Sequence, residues 1–493
     1  MKKLLFALIV LIYASSLGFT QSYDEKIGNA MNRGDWFSLD SIYQSAPKDS
    51  IHPFLEVYSR CLIGNRFNRP DISIPAFTEL FNSQSEFLDL GNMLNSSVMF
   101  AMDLSRTGDN EKAAHIVSSV LDATRQHLDS AAIIGMQKYV NQYTVLAAFK
   151  PYGINFGDRS NATIPFRFVP VGPAKKNSLL MHFDDCAING IAADITFDTG
   201  AGVNIISDSL AQKFGLIPLY ANLSVGGIGL QTGGIAIAKE LKLGSVTITD
   251  VPFTIISITA NNKEADQYMN CFDIIVGSEL MLQLKDLTID FTNRQITIPA
   301  TPPAKSDATS NMCFSPSMNL LARGAIHGNS MLMCIDSGDA SFGWLDKTFY
   351  ERNREYVIAH GQPDSLRMAG IGGVHISQGY RVPDIESQLG GSAIIIPQMD
   401  VRIEDNPVGL DYECNFGLKS LMLFGKVRFN MVDFTITTYP YTLSLNPSQS
   451  IRTVPKFIVI QEKGMTPLQA AGCIAVGVGK ILMGQNGSDN PDL

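Results

Sequence analysis

The feature that most constrains this 493-residue chain is a repeat. Asp198-Thr199-Gly200 follows "ADITF", and Asp336-Ser337-Gly338 follows "MLMCI", 336 − 198 = 138 residues later. A glycine cluster comes next in each copy, Gly226-Gly227-Ile228-Gly229 and then "AGIGG" with Gly370, Ile371 and Gly372, offset by 369 − 226 = 143. Gly277 in "IIVGSELML" matches Gly417 in "NFGLKSLML", offset by 417 − 277 = 140. Asp290 in "LTIDFTNRQITI" is matched with Asp433 in "NMVDFTITTYP", offset by 433 − 290 = 143. Four landmarks in one order at nearly constant offset read as an internal duplication. The runs between them are short, β-branched and punctuated by Gly, Asn, Asp and Pro, which reads as strands and turns. The chain must therefore build one small β-rich lobe twice, over 160–300 and 313–442, with the aperiodic "PATPPAKSDATSNM" supplying a linker at 301–312.

The flanks differ. Lys2 and Lys3 precede "LLFALIVLIYASSLGF", with Ser15, Ser16 and Gly18 in a cleavage-like region, so 1–21 reads as a secretory signal. An uncleaved N-terminal anchor is the alternative. The mature chain is then exported, periplasmic or extracellular, without an integral membrane span. Residues 22–150 read as a helical module, because apolar residues recur at three and four spacing in "AFTELFNSQSEFLDLGNML" and "NEKAAHIVSSVLDATRQHL". Turn-like pairs at Gly34-Asp35, Gly64-Asn65 and Gly108-Asp109 are loosely similar to tetratricopeptide helix pairs. A plain helical bundle fits the same pattern, and either would serve a protein partner. The net charge of −9, with no basic stripe, excludes a nucleic-acid surface. Seven scattered cysteines show neither C-x-x-C nor zinc spacing, and their pairing stays open. The seven histidines form no H-E-x-x-H and read as surface or incidental; no metal or cofactor is implied. "GGIGLQTGG" lacks the lysine or acid of a nucleotide loop.

A D-[TS]-G at a strand end, a glycine-rich hairpin and an apolar-apolar-Gly triplet resemble the aspartic proteases. "DTGA" with "IIVG" is most similar to the retropepsin-like branch. Two copies in one chain resemble the bilobed arrangement, which implies a mainly β fold of two duplicated acid-protease-like lobes behind an α-helical module. The resemblance makes Asp198 and Asp336 the catalytic carboxylates. It makes Thr199, Gly200, Ser337, Gly338, Gly277 and Gly417 their support. Gly226, Gly227, Ile228, Gly229, Gly370, Ile371 and Gly372 become hairpin residues over a peptide substrate. Peptide hydrolysis by water needs one group to take a proton and one to give it, and two carboxylates sharing a proton supply both. Should the second lobe have drifted, the first would have to pair with that of another chain, or the protein would be an inactive peptide-binding module. The Ala201 side chain has no hydroxyl to donate to Asp198, and Asp339 adds negative charge beside Asp336. Both are expected to raise the pair's pKa values and move the pH optimum above that of gastric-type enzymes. Residues 455–493, with "KGMTPLQAAG" and "KILMGQNG", resemble the first part of a PDZ domain; a C-terminal extension packed on lobe two is the alternative.

Overall fold

The computed structural model describes residues 21–441, except 172–177, 227–229, 264–265, 267–268, 270–271, 317, 372 and 406–411, together with 474–475 and 481–484. The expected signal segment, apart from Gln21, and most of the tail lie outside the described residues. So do Gly227, Ile228, Gly229 and Gly372. The chain divides into two compact units, 1–104 and 105–493.

The first unit is helical: Tyr23–Asn32, Trp36–Ser45, Pro53–Arg66, Pro70–Glu79, and Leu90–Arg106, whose last two residues fall in the second unit. Ser22 and Glu25 form a reciprocal capping box that satisfies backbone N–H groups at the first helix start. Gly34 turns with φ +65°, and Asp35 then caps the second helix through the Ser38 N–H. Gly108 (φ +88°) and Asp109 repeat this device at Asn110–Thr124, a helix of the second unit. Gly64-Asn65 does not. The pair lies inside Pro53–Arg66, and a Cβ at Gly64 would sit 2.5 Å from the backbone nitrogen of Ser73. That glycine is there for close helix packing, and the turn falls at Asn68, which has φ 51°.

The second unit opens with Asn110–Thr124 and Ser130–Leu146 and then becomes almost wholly β. The first lobe folds its strands into one sheet, in which Ile274–Val276 lies parallel to Ile195–Phe197 and antiparallel to Ile205–Ser207. The second lobe repeats the unit: Cys414–Gly417 lies parallel to Asn329–Asp336 and antiparallel to Gly343–Leu345. Each lobe carries a long hairpin. One is Ile217–Gly226 with Leu230–Leu243; the other is Gln362–Gly370 with Gly373–Leu389. The tail strands Ile474–Ala475 and Ile481–Gly484 pair with Gln362–Gly370. Cys61, Cys186, Cys313, Cys334 and Cys414 are buried thiols.

The lobes are joined by backbone. Lys426–Asn430 of the second pairs antiparallel with Asp286–Asp290 of the first, in the register Thr288↔Arg428. Arg428 adds a bidentate pair to Asp286, at 2.9 and 2.8 Å. This region also corrects one landmark of the repeat. Asp290 ends its strand and accepts from the Thr292 and Asn293 N–H groups; Asn430 ends its own and accepts from Val432 and Asp433. The equivalents are thus Asp290 and Asn430 (430 − 290 = 140), not Asp290 and Asp433. Acid and amide have changed places: Asn293 Nδ2 donates to Asp290, and Asn430 Nδ2 donates to Asp433. The "DF" dipeptide common to both copies shifts the apparent match by three residues.

Phe429 is fully buried on the joining strand. Phe429→Ala should cost about 3–5 kcal/mol of stability, read from the denaturation midpoint.

Candidate active site

Asp198 follows the end of Ile195–Phe197, and its N–H donates to Val276 O at 3.0 Å. Asp336 is the last residue of Asn329–Asp336, in register with Gly417. Strand ends of this kind fix the backbone on one side and free the next residues to turn. Gly277 and Gly417 close the turns from behind. A Cβ at Gly277 would lie 2.5 Å from Ala201 O, and one at Gly417 would overlap Ser341 O. Only glycine permits both approaches.

The two loops then lock onto each other. The Thr199 N–H donates to Ser337 Oγ at 3.0 Å, and the Ser337 N–H donates to Thr199 Oγ1 at 3.0 Å. Each hydroxyl in turn donates onward across the pair, Thr199 to Ile335 O at 2.7 Å and Ser337 to Phe197 O at 2.8 Å. All four groups are buried, so each bond is worth more than it would be in water and each would be costly to orphan.

This lock brings the carboxylates together. Asp198 Oδ1 accepts from the Gly200 and Ala201 N–H groups at 2.9 and 3.1 Å. Asp336 Oδ1 accepts from Gly338 and Asp339 at 3.0 and 3.1 Å. A Cβ on Gly200 would be 2.5 Å from Asp336 Oδ1, and a Cβ on Gly338 would overlap the Asp198 carboxylate. Each carboxylate occupies the space where the opposite glycine has no side chain. Both aspartates are almost wholly buried, at 0% and 3% exposure.

The second loop carries a group that the first lacks. Asn415 Nδ2 donates to Asp336 Oδ2 at 3.0 Å and to Asp339 Oδ2 at 2.8 Å. Asp339 Oδ1 accepts from the Ser341 N–H at 2.9 Å and from Ser341 Oγ at 2.7 Å. Asp339 therefore does not bear directly on Asp336 as a bare like charge, because an amide stands between them. The non-apolar "NFG" lead-in to Gly417 was the sequence signal for this residue.

Charged groups also lie behind the loops. Burial pushes the Glu279 carboxyl up to about 7, against hydrogen bonds with Tyr152 and the backbone of Asn204. Burial pushes Asp400 up to about 6 and Arg402 down to about 10. The Arg402 guanidinium lies 3.9 Å from the centroid of the buried Trp344 ring, so Trp344 is a core residue. His182 is not a surface residue: it is 3% exposed, with Nδ1 2.8 Å from Asp194 and Nε2 3.1 Å from Thr196 Oγ1. Thr196 is fully buried two residues before Asp198, so this Thr–His–Asp chain ties down a strand and offers no accessible nucleophile.

Of the hairpin residues, Gly226 ends one strand and pairs with Leu230, while Gly370 pairs with Gly373. Ile371 is fully buried in one apolar cluster with Ala201, Ile275 and Ala340. The tip of the second hairpin thus packs beside both D-[TS]-G loops.

Residues 185–280 match the aspartyl protease family model. The match takes in Asp198, Thr199, Gly200, the first hairpin and Gly277. No curated protein matches the chain.

Two outcomes are expected. Thr199→Val keeps the volume but leaves the buried Ser337 N–H without its acceptor, and should cost about 1–3 kcal/mol in chemical denaturation. For Glu279 the folded pKa of about 7 exceeds the ordinary 4.5, so its stabilising contribution is complete below 4.5 and is lost as pH rises through 7. Glu279→Gln should match the wild-type melting temperature near pH 4 and exceed it at pH 8.

Proposed function

We propose that this chain is an aspartic endopeptidase that hydrolyses peptide bonds with water activated between Asp198 and Asp336. The observation that carries the proposal is the reciprocal packing of each carboxylate against the glycine of the opposite loop, locked by the four Thr199 and Ser337 hydrogen bonds. The aspartyl protease match on the first lobe supports it.

Two buried carboxylates in contact with the same glycines cannot both ionise cheaply, so they hold one proton between them and titrate as a pair. The ionised member takes a proton from water as its oxygen attacks the peptide carbonyl carbon. The protonated member gives its proton to the carbonyl oxygen, producing a neutral tetrahedral diol. The C–N bond then breaks as one carboxyl protonates the leaving amine and the other removes a hydroxyl proton from the diol. The products are a free acid and a free amine, and the pair regains its single proton. An extended substrate suits a site bordered by hairpins, whose edges offer backbone hydrogen bonds to a peptide strand.

The leader-like segment 1–21 supports export to a periplasmic or extracellular compartment. The helices ahead of the lobes suit capture of a protein partner.

Asp198→Asn and Asp336→Asn should each lower turnover of an unfolded protein substrate by about a hundred- to ten-thousand-fold, with circular dichroism unchanged. Full activity in both variants would refute proteolysis at this site and favour the binding-module reading. Loss in Asp198→Asn alone would favour a dimer of first lobes.

A further inference from the structure

The two halves of the site are not equivalent, and the difference lies beside one carboxylate. Taking Gly277 against Gly417, the first-lobe counterpart of Asn415 is Ile275 (415 − 140 = 275). Taking Asp198 against Asp336, the counterpart of Asp339 is Ala201 (339 − 138 = 201). Ile275 and Ala201 share one apolar cluster, and neither has a hydrogen-bonding side chain. Asn415 and Asp339 are equally buried, at 0% exposure, but form a polar relay ending on Asp336 Oδ2. Among the described residues of its own lobe, Asp336 accepts from two backbone N–H groups on Oδ1 and from an amide on Oδ2.

The relay is rigid. Asn415 sits in the middle of a strand paired on both sides, with Cys334 and with Trp344. Gly343, at φ +110°, brings its backbone so close to Asn415 O that a Cβ would overlap it. The amide could turn only by leaving Asp339, which fixes its donor end toward the two carboxylates. We infer that Asn415, oriented by Asp339, is the positioning residue that keeps Asp336 the ionised member of the pair and assigns the shared proton to Asp198. The inference rests on the proposed function, because only a working pair makes the assignment matter.

The charged surroundings fit. Across the loops lies Asp198. Beyond Asp339, Arg402 exerts an electrostatic attraction on Asp400 and, more weakly, on Asp339. Lys419, on the helix after Gly417, places its ammonium over the Phe342 ring of the same loop. Hydrogen bonds to the charged form of a carboxyl lower its pKa, whereas a like charge nearby raises it. With the Asn415 amide bonded to both Asp336 and Asp339, the hydrogen bond decides the sign. This reverses the expectation that Asp339 raises the pKa of Asp336.

The test uses the full-length protein labelled with ¹³C at aspartate Cγ, in an Asp198→Asn background where Asp336 titrates without its partner. Asn415→Ile should raise the Asp336 midpoint by about one unit. Asp339→Ala should move it in the same direction, because the amide loses its orienting partner; simple charge repulsion requires the opposite direction. The double variant Asn415→Ile with Asp339→Ala reproduces the Ile275 and Ala201 pairing, so it keeps the measurement available if either single change fails to fold, and it should raise the midpoint too. An unmoved midpoint in Asn415→Ile or in the double variant, or a downward shift in Asp339→Ala, overturns the inference. The titration needs no peptidase activity. Activity that depends on both aspartates with no such shift leaves proteolysis standing and removes the assignment. The shift in a protein that cleaves nothing does the reverse.

Discussion

The site depends on two hydroxyl groups that each bond into the other's loop. Thr199 and Ser337 stand 138 residues apart, and every one of their four bonds is buried and crosses from one lobe to the other. Such bonds tolerate little displacement, because moving either loop would strand several polar groups away from water. The glycines after them, the glycines behind them and the carboxylates before them are all placed by this one constraint. The joining strands at 286–290 and 426–430 add a second, backbone tie between the lobes.

Much of this was legible because duplication leaves a signal that local chemistry alone does not. One Asp-Thr-Gly is an ordinary turn, but a second copy with its own hairpin glycines and its own Gly417 requires a common fold. What the sequence hid was substitution by equivalent chemistry. Asp290–Asn293 and Asn430–Asp433 make the same turn with acid and amide exchanged, so identity matching drifted by three residues. The sequence also showed Asp339 as a charge beside Asp336, since the residue that separates them, Asn415, lies 76 positions downstream of Asp339. Gly64 was legible as a glycine but not as a packing contact, because the Ser73 backbone that requires it belongs to the next helix.

Asymmetry within the duplication is where function can be read most finely. The first lobe surrounds its aspartate loop with Ala201 and Ile275, and the second with Asp339 and Asn415. Backbone donors at Gly200 and Ala201, and at Gly338 and Asp339, are common to the two halves because the turn itself supplies them. Side chains are free to diverge, and in this chain they diverge toward unequal environments for two otherwise matched carboxylates.

The strand pairing between lobes has a consequence for how the chain can be divided. Without 426–439, Asp286–Asp290 would become an outer strand with open backbone groups on one side, a template for pairing with another copy. The duplicated halves are therefore repeats in sequence that share one sheet. A boundary drawn through the linker would expose the very surface on which a truncated first lobe would self-associate.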